Sequence, residues 1–272
     1  MNNFLSLLRP YHWIKNLLIF APIFFAGRLF EFPTLISTIY AFLAFSLTAS
    51  SGYIINDIID RATDAQHLKK KNRAIASGEV SSKQAFLFFL AIALTDILFI
   101  AFLIPQIWYI ITIYFLLNLL YSFCLKHIPI FDIGTVSSFY VMRAMTGGIA
   151  TGIPISEWLL VCTFFASLLL VTGKRKASTH LLYSPSLLQS FLLVSASLTV
   201  MSYSLYSILA VSSSIAIYSI VFVVVGVFRY LFLCESSSEI EYPEKIILSD
   251  KTLSLTIFSW LMFMYIIFYC YT

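Results

Sequence analysis

Apolar residues follow one another along most of this chain in long runs, without the polar position every three or four residues that a water-facing helix shows. Runs of roughly 18 to 23 residues are long enough to cross a bilayer as helices. They fall at 12–30, 34–55, 84–103, 106–125, 130–150, 155–173, 187–208, 211–233 and 252–271, with Pro105 marking the shortest break. The pattern predicts an all-α integral membrane protein: nine transmembrane helices in a single polytopic domain over residues 1–272. The first run lacks a small-residue cleavage site, so it is expected to be a span and not a removable signal peptide.

Composition agrees. Hydrophobic residues make up 60% of the 272 and charged ones only 11%, with a mean hydropathy of +0.91. So few charges cannot cover a soluble domain of this size. With the N-terminus inside, 15 of the 17 Lys and Arg fall on the inner side, Arg28 lies outside and Arg143 within a span. This asymmetry is the positive-inside signature and predicts a plasma (inner) membrane protein. It accounts for the net charge of +4 without a nucleic-acid partner. Outer connections are short, so function is expected at a central cavity open to the cytoplasm, with active-site loops at 56–83 and 174–186. The four cysteines have no metal spacing and read as packing residues.

The chemistry concentrates where the second span ends. In Asn56-Asp57-Ile58-Ile59-Asp60-Arg61-Ala62-Thr63-Asp64 the three aspartates are spaced i, i+3, i+7 and, on a continuous helix, project from one face beside Asn56. Carboxylates so crowded repel one another, and a bound cation relieves them. Few oxygen ligands favour Mg²⁺, which completes its shell with water and substrate phosphates. Asp57, Asp60 and Asp64 are therefore the candidate metal ligands and catalytic residues. Lys69, Lys71 and Arg73, directly afterwards, are candidates for the remaining phosphate charge. A solvated helix end would explain scattered charges, but not three acids on one face leaving an apolar span.

Lys174 and Arg175 close the sixth span. They read equally as positive-inside charge or as an anion clamp in which Gly173 lets the backbone approach a phosphate. No Asp or Glu occurs between Glu157 and Glu235, which excludes a second acidic metal site there. Arg143 lies inside a span, at a cost of roughly 2.5–3.5 kcal/mol near mid-depth. It is expected to face a polar cavity and a partner, either Asp132 or a substrate phosphate. Lys15 could enter a cavity as a phosphate ligand, although flanking by Tyr11 and Trp13 suits interfacial anchoring. Asp96 is isolated within the third span and is not placed in the site.

Asn56–Asp64 resembles the first motif, N-D-x-x-D-x-x-x-D, of the UbiA superfamily of intramembrane prenyltransferases. Further stretches resemble its decaprenyl-phosphate phosphoribosyltransferase branch: Arg9–Asn16, Arg73–Gly78, Tyr121–His127, Gly147–Pro154, Gly173–Arg175, Arg229–Leu233 and Pro243–Leu248. The resemblance spans nearly the whole chain and brings Tyr121 and Lys126 into the candidate substrate site. It implies transfer of 5-phosphoribose from phosphoribosyl pyrophosphate to a polyprenyl phosphate, with Mg²⁺ as cofactor and the bilayer as surroundings. A homo-oligomer is compatible with it. It also implies an acid shortly after Gly173-Lys174-Arg175, where this chain has Lys176-Ala177-Ser178. Two other readings are a polyprenyl-diphosphate transferase acting on an aromatic or small acceptor, which the missing second acidic motif disfavours, and a lipid-phosphate transporter, which would carry more charge at mid-membrane.

Overall fold

A computed structural model describes residues 3–67, 70–177, 182–236 and 249–271, and every described regular element is helical. Seven segments are long and apolar enough to cross a membrane: Phe32–Ile59, Ser82–Leu103, Pro105–Phe123, Glu157–Ala177, Pro185–Leu209, Ser214–Glu235 and Lys251–Cys270. The chain is a multi-pass membrane protein. Two of the expected spans are not in that set. The first is a short helix α1 (Asn3–Leu8), a 3₁₀ helix (Pro10–Phe20) and α2 (Ala21–Phe25). Pro10 opens the tighter helix, and Pro22 lies at the start of α2. The other is α7 (Phe131–Thr151), a full helix made less apolar by Asp132, Arg143 and several small polar residues.

The remaining helices are α3 (Phe32–Ile59), α4 (Arg61–Gln66), α5 (Ser82–Leu103), α6 (Trp108–Phe123), α8 (Glu157–Ala177), α9 (Pro185–Leu209), α10 (Ile220–Ser236) and α11 (Lys251–Cys270). The starts of α5 and α11 are fixed by side chains. Ser81 Oγ accepts from Gln84 N while Gln84 Oε1 accepts from Ser81 N, a reciprocal box at the head of α5. Asp250 Oδ1 accepts from Leu253 N at 2.8 Å to cap α11, and its Oδ2 takes Arg229 Nη2 of α10 at 2.7 Å. The Arg229 guanidinium, followed by the Leu253 N–H, holds the Asp250 carboxyl below its ordinary value.

In the first half, α3, α5, α6 and α7 pack on a core of Phe45, Tyr114, Phe139 and isoleucines of the α5–α6 turn. In the second, α8 lies along α9, and α10 and α11 close around Tyr203, Tyr206 and Met264. The α7–α8 contact joins the halves. Gly147 lets α7 approach the 3₁₀ helix, because a Cβ there would run into the Ile19 carbonyl. Gly147→Val is expected to destabilise the protein by about 1–3 kcal/mol through overpacking, read as a lower melting midpoint in detergent. An unchanged midpoint would mean that the 3₁₀ helix is free to move away from α7. All four cysteines are free thiols.

Candidate active site

The acidic segment does not stay one helix. α3 stops at Ile59, Asp60 sits at φ −85°, ψ 4°, and α4 restarts at Arg61. The three aspartates therefore do not share one face. Asp57 and Asp64 are buried and converge on Arg73, whose Nη1 lies 3.0 Å from Asp57 Oδ1 and 2.5 Å from Asp64 Oδ2. Asp60 turns elsewhere, accepting from Lys126 Nζ at 2.5 Å and Asn56 Nδ2 at 3.0 Å. Among the described residues no three His, Cys, Asp or Glu side chains gather to hold a metal, so the expected three-ligand arrangement is not assembled.

Two carboxylates do fit a cation. A single positively charged nitrogen already lies between Asp57 and Asp64. Two protein oxygens are what Mg²⁺ takes when water and phosphate supply the rest of its octahedron.

Arg9 supplies a partner that the sequence reading missed. Its Nη2 donates to both Asp57 oxygens, at 2.6 and 2.7 Å, from a left-handed backbone position at φ 50°, ψ 57°. Burial alone would lower its pKa, but the Asp57 charge and hydrogen bonds outweigh this and raise it above the ordinary value. Arg9 was legible only as an inner-side cation and as the first residue of the Arg9–Asn16 stretch, because its contact spans 48 residues of sequence.

Arg9 and Arg73 also line a cavity of about 260 Å³ between the 3₁₀ helix, α3, α6, α7 and α8. Six cations face it (Arg9, Lys15, Arg73, Arg143, Lys174 and Arg175), while the lining carries no carboxylate. Asn56 and Tyr121 line it as well. Seven of the ten predicted substrate-binding residues therefore meet at one place: Lys15, Asn56, Arg73, Tyr121, Arg143, Lys174 and Arg175. Lys126 is held by Asp60 outside the lining, and Lys71 is exposed on the short 3₁₀ turn Lys70–Asn72. Lys69 lies outside the described residues, as do 178–181 of the second predicted loop and the Pro243–Leu248 stretch.

Arg143 is the deepest of these cations by its surroundings. It is 4% exposed, and its named partners are neutral. Nε donates to Asn16 Oδ1 at 2.7 Å and Nη1 to the Phe139 carbonyl at 2.6 Å. The rings of Phe45, Tyr114 and Tyr140 surround it, with centroids 5.1 to 5.8 Å from its guanidinium carbon. Asn16 is itself braced by Ser46 Oγ at 2.8 Å. Such a site holds the guanidinium by dipoles and ring faces and leaves its charge to be matched by a ligand.

Asp132 is not Arg143's partner. It is fully buried and takes Arg175 in bidentate fashion, Nε at 2.8 Å and Nη2 at 2.6 Å, while Tyr121 Oη donates to its Oδ1 at 2.9 Å. The head of α7 is aimed by Ile130, a β-branched residue strained at φ 72° whose N–H is held by Tyr183 Oη at 2.9 Å. Gly173 has a packing role: a Cβ there would meet the Tyr230 hydroxyl of α10.

Residues 17–242 match the UbiA prenyltransferase family. The chain is 32% identical over 273 residues to a decaprenyl-phosphate phosphoribosyltransferase of Mycobacterium tuberculosis, covering 93% of this chain and 90% of the relative. It is 33% identical over 277 residues to the decaprenyl-phosphate phosphoribosyltransferase of Corynebacterium glutamicum, covering 93% and 82%. A UbiA homolog from Archaeoglobus fulgidus bound to GPP and Mg²⁺ superposes with a TM-score of 0.74 at 16% identity, covering 98% of this chain and 99% of that one.

Proposed function

The chain belongs to the UbiA prenyltransferase family and is a transferase, and from that premise we propose that it moves 5-phosphoribose from phosphoribosyl pyrophosphate to a polyprenyl monophosphate. The observation that carries this reading is the cavity of six cations with no acidic lining. Two phosphate-bearing substrates suit such a cavity better than a diphosphate with a neutral aromatic acceptor. The relatives named as decaprenyl-phosphate phosphoribosyltransferases, aligned over nearly all of this chain, support it.

A phosphate oxygen of the lipid forms the new bond to the ribose anomeric carbon as the bond from that carbon to pyrophosphate breaks. The nucleophile is already ionised at neutral pH, so no side chain need remove a proton. Asp57 and Asp64 would hold Mg²⁺, which when bound neutralises the diphosphate leaving group. Arg9 and Arg73 then serve the diphosphate end beside those aspartates. Arg143 takes a phosphate at the aromatic-lined depth, with Lys15, Lys174 and Arg175 around it. Tyr121 and Asp132 keep Arg175 oriented. In this reading the Pro10–Phe25 stretch and α7 complete nine membrane segments, and the cavity opens to the cytoplasmic face of the plasma membrane.

The test is turnover by purified protein with labelled phosphoribosyl pyrophosphate, a polyprenyl monophosphate and Mg²⁺. Labelled lipid and free pyrophosphate are expected, and both disappear on chelation. Turnover only of polyprenyl diphosphate with an aromatic acceptor would replace this reading by prenyl transfer. No turnover of either pair, with lipid phosphate moving across proteoliposomes, would make the protein a transporter.

A further inference from the structure

A second cavity, of about 700 Å³, lies among α3, α5 and α6, away from the cationic one. The α3–α6 seam separates them: Gly52 packs so closely on Asn118 that a Cβ would stand 2.6 Å from its Oδ1, and the Phe45 and Tyr114 rings are 4.3 Å apart. The wall is mostly apolar, with Phe89, Trp108 and Phe115 among its aromatic rings, and no Lys, Arg or His lines it. Ile97 and Trp108 are also more than half exposed on the outer surface, so the cavity is reached from the lipid side. Its volume is within the range of small-molecule pockets, about 300–1,000 Å³.

Four polar side chains interrupt this wall: Thr48, Ser51, Asp96 and Thr112. The two threonines bond to carbonyls one turn back, Thr48 to Ala44 at 3.1 Å and Thr112 to Trp108 at 2.8 Å. Asp96 Oδ2 meets Thr48 Oγ1 at 2.5 Å. Asp96 Oδ1 and Ser51 Oγ have no partner, although the residues are only 5% and 2% exposed. Other hydroxyls of α3, such as Thr38 and Ser50, bond to the preceding turn; Ser51 does not. A buried polar atom left unpaired costs about 1–3 kcal/mol, and here both residues that carry such an atom are among those lining one cavity.

We infer that this cavity is a binding site for a neutral, chain-bearing alcohol that enters from the bilayer. The chain lies against the apolar wall, and the hydroxyl donates to Asp96 Oδ1 and pairs with Ser51 Oγ, since a hydroxyl is both donor and acceptor. An ammonium could donate to the same atoms. However, Asp96 lies about 10 Å inside the C-terminal end of α5, and a charge is costly at that depth. The inference is independent of the phosphoribosyl reading, because it uses no residue of the cationic cavity.

The experiment is saturation binding of tritiated geranylgeraniol to purified protein in detergent, with geranylgeranyl methyl ether as competitor. The proteins compared are wild type, Asp96→Leu, Ala93→Phe and Arg143→Ala, each checked by thermal melting. Ala93 lines the cavity one turn before Asp96, so the phenylalanine fills it while both polar side chains are kept. Saturable binding is expected, weakened about tenfold in Asp96→Leu for one lost hydrogen bond, removed in Ala93→Phe and unchanged in Arg143→Ala. The ether, which cannot donate, should compete about tenfold less well than the alcohol. Equal competition by the ether, or binding indifferent to both Asp96→Leu and Ala93→Phe, would overturn the proposal. So would loss of binding in Arg143→Ala alone, which places the alcohol in the cationic cavity. A lower particle mass for Asp96→Leu in light scattering would overturn it in favour of a second copy of the chain at this face.

Discussion

Arg143→Ala lowers kcat/KM for phosphoribosyl transfer by about 10²–10³, the loss expected when one preorganised donor is removed from developing or transferred phosphate charge. The expectation rests on its surroundings. The guanidinium is held by Asn16, the Phe139 carbonyl and three ring faces, none of which cancels its charge. A phosphate arriving there meets a donor that is already oriented and already out of water. Arg143→Lys should recover little. An ammonium lacks the planar fork that both stacks on Phe45 and Tyr140 and keeps donors for the ligand. The measurement is steady-state kinetics varying each substrate in turn, beside a melting curve. If the alanine variant melts like the wild type and turns over at the same rate, Arg143 is a packing residue and the cavity reading loses its centre.

Asp57→Ala is expected to have the second large effect, and on two quantities at once. Arg9 and Arg73 both depend on this carboxylate, and Arg9 keeps only 15% side-chain exposure. Removing the acid leaves a buried cation uncompensated, which costs about 3–5 kcal/mol of stability. Transfer should fall as well, with the Mg²⁺ concentration for half-maximal rate raised at least about tenfold. The double variant Arg9→Met/Asp57→Leu separates the two effects. Replacing the whole pair by apolar groups restores the melting midpoint, because no charge is then stranded, but does not restore the metal dependence. A double variant that regains full turnover would show that the Arg9–Asp57 pair serves folding alone.

Much of this could be read from residue order. Run length and charge asymmetry are one-dimensional properties, and the bilayer selects on them directly. The membrane class, the approximate limits of α3 and of α5 to α11 and the family followed from them and from Asn56–Asp64. The candidate cations were also legible, since a charge near or within an apolar run is conspicuous. Lys15, Arg73, Arg143, Lys174 and Arg175 come from four separate stretches of chain, yet they line one cavity.

Which charge meets which was not in the sequence. Asp132 was a candidate for Arg143, eleven residues along its own helix, but in the fold it binds Arg175 from α8. Arg9 had no assigned partner until the turn into the 3₁₀ helix brought it onto Asp57. The regular i, i+3, i+7 spacing suggested one acidic face, but the break at Asp60 gives Asp57 and Asp64 to Arg73 and Asp60 to Lys126. The sequence by itself determined that the chain lives in a membrane, which residues are charged and which family carries such a motif, because hydrophobic run length and residue identity suffice for these. Only the tertiary structure decided the pairing of those charges. Ion pairs in a low-dielectric interior form between side chains that helix crossings bring within about 3 Å, and those crossings are set by small residues such as Gly52, Gly147 and Gly173, whose neighbours the sequence does not name.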